Sequence, residues 1–157
     1  MQWDDINSLM LWMPLDYFKI GESWGDYKKM HPLIIIILEK FRSALPSGYW
    51  IKVHCGYKQG GHTKNSYHYQ GKAVDFHVVG CSFIEAERHL MRFLKRAIYY
   101  DNKEYYLLNY VGLGIYPEWQ DPGFHLDIRG QKASWSKLNG SHRPYEFGME
   151  KARELNL

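Results

Sequence analysis

The sequence predicts a single α+β domain in which helices flank a small antiparallel sheet. Its 157 residues are a normal length for one domain with a sizeable core. Segments with helical apolar periodicity and short alternating segments follow one another with no repeat or linker between them. A hydrophobic content of 45% with 17% aromatic residues is typical of a folded chain rather than a disordered one. We therefore treat residues 1–157 as one domain.

Residues 31–45 predict the first helix, although the isoleucine run within them also suits a strand. Pro32 is favourable in a first helical turn, and the segment exceeds normal strand length before Pro-Ser-Gly ends it. Residues 49–55 then alternate apolar and polar side chains, which indicates a half-buried strand with Cys55 on its apolar face. Cys55 and Cys81 form no CxxC motif, and two unpaired buried thiols are favoured over a disulfide.

The glycine-rich segment 56–71 predicts a long loop, and loops of that length in a compact domain are usually functional. Residues 72–79 predict the next strand. Residues 82–98 predict an amphipathic helix with Ser82 as its N-cap. The remaining expected elements are two strands and a partly helical C-terminus, at residues 110–116, 124–130 and 144–157.

Two of the predicted strands carry one apolar face and one face with histidine and aspartate. Side chains alternate between the two faces of a strand, so each polar face follows from the sequence. The polar faces hold Ala73, Asp75 and His77 on one strand, and His125, Asp127 and Arg129 on the other. If these strands are neighbours, their polar faces converge on one cleft.

His68, Asp75 and His125 would then offer two imidazoles and one carboxylate to a single point. Three nitrogen and oxygen ligands, with a fourth position open to water, are the pattern of a catalytic zinc site. A metal ion would also explain Asp75, because a carboxylate in an apolar strand is costly without a partner. The alternative, from residue types alone, is that these histidines are solvated or hydrogen-bonded within the core.

Charge and local composition argue against nucleic-acid binding, membrane insertion and an encoded secretory signal. The formal net charge of +3 suits approach to a polyanion, but nucleic-acid binding would need a denser basic stripe. Residues 1–10 carry two acidic and no basic side chains, so they predict no secretory signal. The apolar run 32–38 is too short to span a bilayer. We expect a monomer with no nucleic-acid partner and no membrane insertion.

Three linked motifs resemble those of a known enzyme family. Residues 66–75 contain S-x-H-x-x-G-x-A-x-D, residues 55–68 read CGYKQGGHTKNSYH, and residues 112–130 read GLGIYPEWQDPGFHLDIRG. In this order, over about residues 31–137, they resemble the zinc D-Ala-D-Ala carboxypeptidase and endopeptidase family, in the subgroup ending in F-x-H-x-D-x-R. That family acts on peptidoglycan and shares its fold with the hedgehog signalling domain. The resemblance implies a hedgehog/DD-peptidase-like fold and Zn²⁺ bound by His68, Asp75 and His125.

Two departures from the family pattern concern the catalytic residues. Lys58 stands where many relatives have arginine, and we expect it to stabilise an oxyanion or hold a terminal carboxylate without a bidentate fork. Pro122 stands where many relatives place the catalytic carboxylate. We expect Asp127 to be the base, with Asp121 and Glu118 as alternatives. A role for Asp127 as partner of a ligand or of Arg129 also stays open.

Several aromatic side chains and one histidine near these motifs are candidates for substrate contact. They are Tyr67, Tyr69, Tyr116, Trp119 and His62. Ordinary packing at the rim of the domain is the alternative for the aromatic residues.

The resemblance, together with the predicted ligand set, implies a zinc metallopeptidase that hydrolyses peptide bonds in peptidoglycan stem peptides or cross-links. Such an enzyme acts on the bacterial cell wall, in the periplasm or outside the cell. A phage-type endolysin released by another route fits the absence of a predicted signal, and a bacterial wall-remodelling enzyme fits as well. The alternatives are a non-catalytic zinc-containing module that recognises the wall and a structural protein that uses the fold as an anchor.

Overall fold

The computed structural model describes residues 15–100 and 102–157. Within them are three α-helices, a mixed sheet of six strands and a separate two-stranded sheet. The predicted α+β class is confirmed at this level. The segment 1–10, on which the prediction of no secretory signal rests, lies outside the described residues. No helix within the described ranges is long and apolar enough to cross a membrane.

The predicted helices are present, and capping residues define where the first two begin. The three helices are α1 (Pro32–Ala44), α2 (Phe83–Leu94) and α3 (Tyr145–Glu154). α1 begins with Pro32 after His31, whose Nδ1 accepts the N–H of Leu33 at 3.2 Å. Ser82 caps α2 as predicted, because its Oγ accepts the N–H of Glu85 at 3.2 Å.

The strands form two sheets. They are β1 (Trp50–Cys55), β2 (Ala73–Val79), β3 (Ala97–Tyr100), β4 (Lys103–Tyr106), β5 (Gly112–Tyr116), β6 (Gly123–Asp127), β7 (Ala133–Leu138) and β8 (Ser141–Arg143). The main sheet has the order β1-β2-β6-β5-β7-β8, and β3 and β4 form the separate hairpin. Strands β3, β4, β7 and β8 are absent from the sequence prediction.

The main sheet is mixed, so the predicted antiparallel sheet is wrong in one strand pair. β5 and β7 are parallel, and the other neighbouring pairs are antiparallel. The reason lies in which strand edges are free. β6 already pairs with β2 on one side and β5 on the other. β7 therefore pairs along the far edge of β5. Because the chain reverses between β6 and β7, β7 runs opposite to β6 and hence parallel to β5.

α2 is shorter than the predicted helix. The pattern predicts a helix through Ile98, but α2 ends at Leu94 and Ala97 begins β3. β3 pairs with β4 across a turn in which Asn102 has a φ of +55°. Isoleucine and tyrosine are favoured in extended backbone, and the hairpin replaces a further turn of helix.

The pairing of β2 with β6 separates an apolar face from a polar one. Asp75 lies opposite His125, and Ala73 lies opposite Asp127. The other face packs into the core through Val74, Phe76, Phe124 and Leu126, all fully buried. Phe83 at the start of α2 stacks on Phe124 with ring centroids 4.9 Å apart. The two polar faces converge, as the alternation predicts.

A bulge in β1 changes which side chains reach the polar face. Val53 pairs with Phe76 and Cys55 with Asp75, so His54 is an extra residue between two consecutive pairings. A bulge of this kind turns two successive side chains towards the same side of a sheet. Cys55 therefore accompanies His54 on the polar side and does not share the apolar face of Val53, contrary to the predicted alternation. Cys55 and Cys81 are both unpaired, as predicted, and both are half-buried rather than buried.

Candidate metal centre

His68 is positioned by a tight turn at the end of the glycine-rich loop. A 3-10 turn spans Tyr67–Gln70, and Ser66 Oγ accepts the N–H of His68 at 3.3 Å. Gly71 closes the turn with a φ of +66°, and a Cβ added there would lie 1.8 Å from the carbonyl oxygen of Lys29. Only glycine fits this backbone and this approach, so Gly71 fixes the turn that presents His68.

His68, Asp75 and His125 meet at one point beneath the cleft; we call them the central cluster. Asp75 Oδ1 lies 2.8 Å from His125 Nδ1 and 3.2 Å from His68 Nε2. The two imidazole nitrogens are 3.2 Å apart, and each of the three residues is less than one tenth exposed. These buried groups are placed to bind a metal ion.

In each imidazole, the outer nitrogen, which points away from Asp75, is hydrogen-bonded. That bond determines whether the inner nitrogen, which faces Asp75, carries a hydrogen or a lone pair. His68 Nδ1 donates to the carbonyl oxygen of Gly56 at 2.6 Å, because a carbonyl can only accept. His125 Nε2 donates in the same way to Asp127 Oδ2 at 3.0 Å. In the neutral rings, both inner nitrogens therefore turn a lone pair towards the Asp75 carboxylate. Three facing acceptor atoms repel one another unless a cation lies between them, which is either a metal ion or a proton on one of the imidazoles.

The spacing of these atoms also fits a metal ion. Ligand atoms about 2.0–2.1 Å from one tetrahedral ion are about 3.3–3.4 Å apart. The three distances within the central cluster are 2.8, 3.2 and 3.2 Å. The three ligand atoms are therefore of the types that such an ion binds, and their spacing is close to the spacing that it needs.

Electrostatics of the central cluster favour a negative Asp75 surrounded by positive charge. Burial alone would raise the pKa of Asp75, but hydrogen bonds with His125 and His68 hold it well below its usual range. Burial alone would lower the pKa of His68, but hydrogen bonds with Asp75 and Cys55 raise it to about 10. The pKa of His125 is raised despite burial, by Asp127 and then Asp75. Without a metal ion, protons on the two imidazoles therefore neutralise Asp75, and a bound metal ion would take the place of those protons.

Asp127 is fully buried beneath His125, with both oxygens in use. Its Oδ1 accepts from Arg129 Nε at 2.8 Å, and its Oδ2 accepts from Arg129 Nη2 at 2.6 Å and from His125. Burial would raise the pKa of Asp127, but Arg129 and then His125 lower it below its ordinary value. This arrangement matches the partner role that the sequence left open for Asp127 beside the expected role as base.

The other predicted catalytic residues lie outside the cleft lining in the described part of the chain. Lys58 is exposed, and its backbone N–H donates to the carbonyl oxygen of His68 at 3.3 Å. Glu118 is exposed and accepts the N–H of Asn139 at 2.6 Å. Asp121 is exposed on the loop between β5 and β6. The cations that line the cleft are Arg129 and Lys137.

The cleft above the central cluster has a volume of about 800 Å³ and aromatic walls. Tyr116 stacks on Trp119 with ring centroids 4.1 Å apart, and Trp135 Nε1 donates to the Tyr116 hydroxyl at 3.3 Å. The Arg129 guanidinium lies 4.8 Å from the ring centroid of Trp135. His62 stacks on His68 at 4.2 Å.

Most of the predicted groove residues line this cleft. They are Tyr67, Tyr116, Trp119 and His62. Tyr69 is the exception, and its hydroxyl is hydrogen-bonded to the backbone N–H and carbonyl oxygen of His62. Sequence reasoning missed Trp135 and His142, which lie on β7 and β8. The short alternation of residues 133–138 was the available signal for β7.

Comparison of the chain with family models, with curated proteins and with solved structures found no match in any of the three. The geometry of the cleft and the resemblance of the three motifs are therefore the grounds on which a function is proposed.

Proposed function

We propose that the cleft is the active site of a zinc-dependent peptidase that hydrolyses peptide bonds in peptidoglycan stem peptides or cross-links. The proposal includes a hedgehog/DD-peptidase-like fold for the domain. The observation that carries it is the central cluster, a buried set of two imidazoles and one carboxylate at the floor of an open cleft. The order of the three motifs supports the same family.

Zinc suits this set of donors better than the common alkaline-earth ions. Ca²⁺ and Mg²⁺ prefer oxygen ligands, whereas two of the three inner atoms are imidazole nitrogens. Two histidines and one carboxylate also suit iron(II). The resemblance of the motifs to zinc peptidases decides the proposal for zinc. His68 Nε2, Asp75 Oδ1 and His125 Nδ1 would hold the ion.

A zinc ion, when bound, supplies a Lewis acid that polarises a carbonyl and acidifies a water molecule. The chain's own residues position the reaction. Asp127 fixes the ring of His125 through its hydrogen bond to Nε2, and Gly56 fixes His68 in the same way. The Arg129 guanidinium faces the cleft and carries the charge that would bind a substrate carboxylate or an oxyanion. Arg129 thus takes the role that the sequence predicted for Lys58.

The aromatic walls suit a short peptide rather than a small ion. A cleft of about 800 Å³ is within the ordinary size range of ligand sites. Tyr116 and Trp135 would pack against the apolar parts of a stem peptide, and Arg129 would bind its carboxylate. We propose that the domain acts as a monomer on the cell wall, either as a phage-type endolysin or as a wall-remodelling enzyme.

A non-catalytic, zinc-containing module that binds the wall is the competing proposal. One observation favours it. Among the described residues that line the cleft, the carboxylates are Asp75, in the central cluster, and Asp127, whose two oxygens are engaged. No carboxylate in that set is free to accept a proton.

Digestion of purified peptidoglycan separates these two proposals. The full chain loaded with Zn²⁺ should release peptide fragments, and mass spectrometry of the fragments identifies the bond that is cut. A chelator should abolish the release, added Zn²⁺ should restore it, and His68→Ala should be inactive. Binding of the wall without any released fragment would exclude the peptidase and favour the binding module.

A further inference from the structure

A second group of metal-ligand side chains lies on the polar side of the sheet; we call it the second cluster. His54, His77 and Asp121 each offer one ligand atom, and these atoms all lie within 4.8 Å of one another. His54 Nε2 is 2.6 Å from His77 Nδ1, and the two ring centroids are 4.7 Å apart. None of these residues belongs to the central cluster.

Three separate elements bring the second cluster together. His54 reaches the polar side of β1 at the bulge, as the extra residue in the pairing with β2. His77 lies on β2, two residues beyond Asp75 and on the same face. Asp121 lies on the loop of residues 117–122 that joins β5 to β6. The pairing of β1 with β2 brings His54 next to His77, and the loop adds Asp121.

The second cluster adjoins the aromatic wall of the cleft. The Trp119 ring meets the His54 ring edge-on, with centroids 6.4 Å apart. Trp119 also stacks on Tyr116, and both rings line the cleft. Trp119 and Asp121 are carried by the same six-residue loop. A bond from Asp121 to the sheet would therefore hold the loop and its aromatic side chain in place.

We propose that His54, His77 and Asp121 bind a second divalent transition-metal ion that clamps loop 117–122 against strands β1 and β2. Two imidazoles and a carboxylate are the donors that zinc, nickel and copper ions accept. The two histidines are half-buried and the aspartate is exposed, so the ion would sit at the surface. This site would bind more weakly than the central cluster, whose three ligands are buried.

The competing explanation is a simple hydrogen bond between the two imidazoles, with Asp121 beside them by chance. A distance of 2.6 Å between His54 Nε2 and His77 Nδ1 is compatible with such a bond. The two explanations differ in the number of ions that the chain binds.

Stoichiometry distinguishes these explanations without reference to activity. The full chain, stripped with a chelator and dialysed against increasing Zn²⁺, should bind two equivalents, the second with lower affinity. His54→Gln and His77→Gln should each bind one equivalent. His68→Ala should lose the tighter equivalent and keep the weaker one, which separates failure of this proposal from failure of the proposed function. His89→Gln, a control on α2 outside both clusters, should bind two.

Asp121→Asn provides a test that does not depend on the folding of a strand variant, because Asp121 is exposed on a loop. Its second equivalent should bind at least about tenfold more weakly, since loss of even an outer-sphere partner has that effect. Saturation of the wild-type chain at one equivalent would overturn the proposal. Unchanged second-site affinity in Asp121→Asn, or two equivalents in either folded histidine variant, would overturn it too.

Discussion

At the scale of single residues, Asp127 connects the two functional groups on the polar face of the sheet. Its carboxylate joins His125, a proposed metal ligand, to Arg129, a cation that lines the cleft. Gly112 on the neighbouring strand makes room for this pair, since a Cβ there would lie 2.4 Å from Arg129 Nε. One buried anion therefore orients both the floor and the charged wall of the cleft.

Asp127→Asn should weaken zinc binding by about 10- to 100-fold, because an amide orients His125 and Arg129 less well than a carboxylate. Competition with a chromogenic chelator measures this loss. Glu118→Gln makes the same acid-to-amide change outside the cleft and should bind zinc as the wild type does. If Asp127→Asn keeps full zinc affinity but loses turnover by about two to four orders of magnitude, Asp127 is the base instead.

Arg129→Lys should lower kcat/KM on peptidoglycan fragments by about tenfold or more. The lysine keeps the charge but loses the planar fork that holds Asp127 while presenting a donor to the substrate. Lys58→Ala should change kcat/KM less than about twofold, because Lys58 is exposed and outside the cleft lining. The reverse order of effects would restore the catalytic role that the sequence predicted for Lys58.

At the scale of elements, buried and partly buried polar contacts attach segments to the helices. Glu39 on α1 is only 3% exposed, and its carboxylate accepts the backbone N–H groups of Asp16, Tyr17 and Phe18. Tyr145 at the start of α3 donates to Glu87 Oε1 on α2 at 2.7 Å. Each contact gives a polar group a hydrogen-bond partner in place of the water that it loses on burial.

Glu39→Ala should lower the free energy of unfolding by about 2–3 kcal/mol, since three backbone donors lose a charged acceptor. Urea denaturation followed by circular dichroism measures the change. Glu39→Gln should lose less, because its amide oxygen still accepts. Glu150→Ala on the exposed side of α3 is the control and should change stability by less than about 0.5 kcal/mol. Equal effects of Glu39→Ala and Glu150→Ala would contradict the tethering role.

Tyr145→Phe should lower stability by about 1 kcal/mol at pH 7, because it removes the hydrogen bond to Glu87. Burial and then the Glu87 charge raise the pKa of Tyr145 above its ordinary value of 10.0. Above about pH 10 the unfolded chain releases this proton before the folded chain does, so folding loses stability as pH rises.

Urea denaturation at pH 7 and pH 11 tests the sign of this effect. The wild type should lose more stability between the two pH values than Tyr145→Phe, so the difference between the proteins should shrink. A difference that grows with pH would show that Tyr145 does not retain its proton in the folded chain.

At the scale of the whole molecule, the central cluster ties the glycine-rich loop to two strands of the sheet. His68 comes from the loop, Asp75 from β2 and His125 from β6. An ion bound only by the folded chain stabilises it by mass action, by about 4 kcal/mol at a free concentration 1,000 times Kd. Binding of a metal ion by the central cluster would therefore be coupled to folding of this domain.

Zn²⁺ should raise the thermal midpoint of a His54→Gln chain, in which the central cluster alone responds. The expected rise is several degrees over the chelator-treated protein, followed by circular dichroism. His54→Gln combined with His68→Ala is the matched control and should show almost no rise. A similar rise in both proteins would place the stabilising ion outside the central cluster.

Sequence reasoning succeeded where local backbone geometry was sufficient. Alternation along β2 and β6 predicted which side chains share the polar face, and the structure pairs Asp75 with His125 on that face. It failed where the outcome depends on distant segments. The parallel pairing of β7 depends on which edge of β5 is free, and the position of Cys55 depends on a bulge that no periodicity shows. Trp135 and His142 were missed for the first of these reasons.

The floor of the cleft lies on β2 and β6, and part of its wall lies on β7 and β8. The strand order predicts that these two parts open locally with different ease. β2 and β6 are interior strands with neighbours on both sides, whereas β8 is an edge strand and β7 is its only support on that side. Amide protons of interior strands exchange through rarer openings than those near an edge. The edge strand that carries His142 should therefore open more often than β2 and β6, and its amide protons should exchange faster than those of Asp75 and His125.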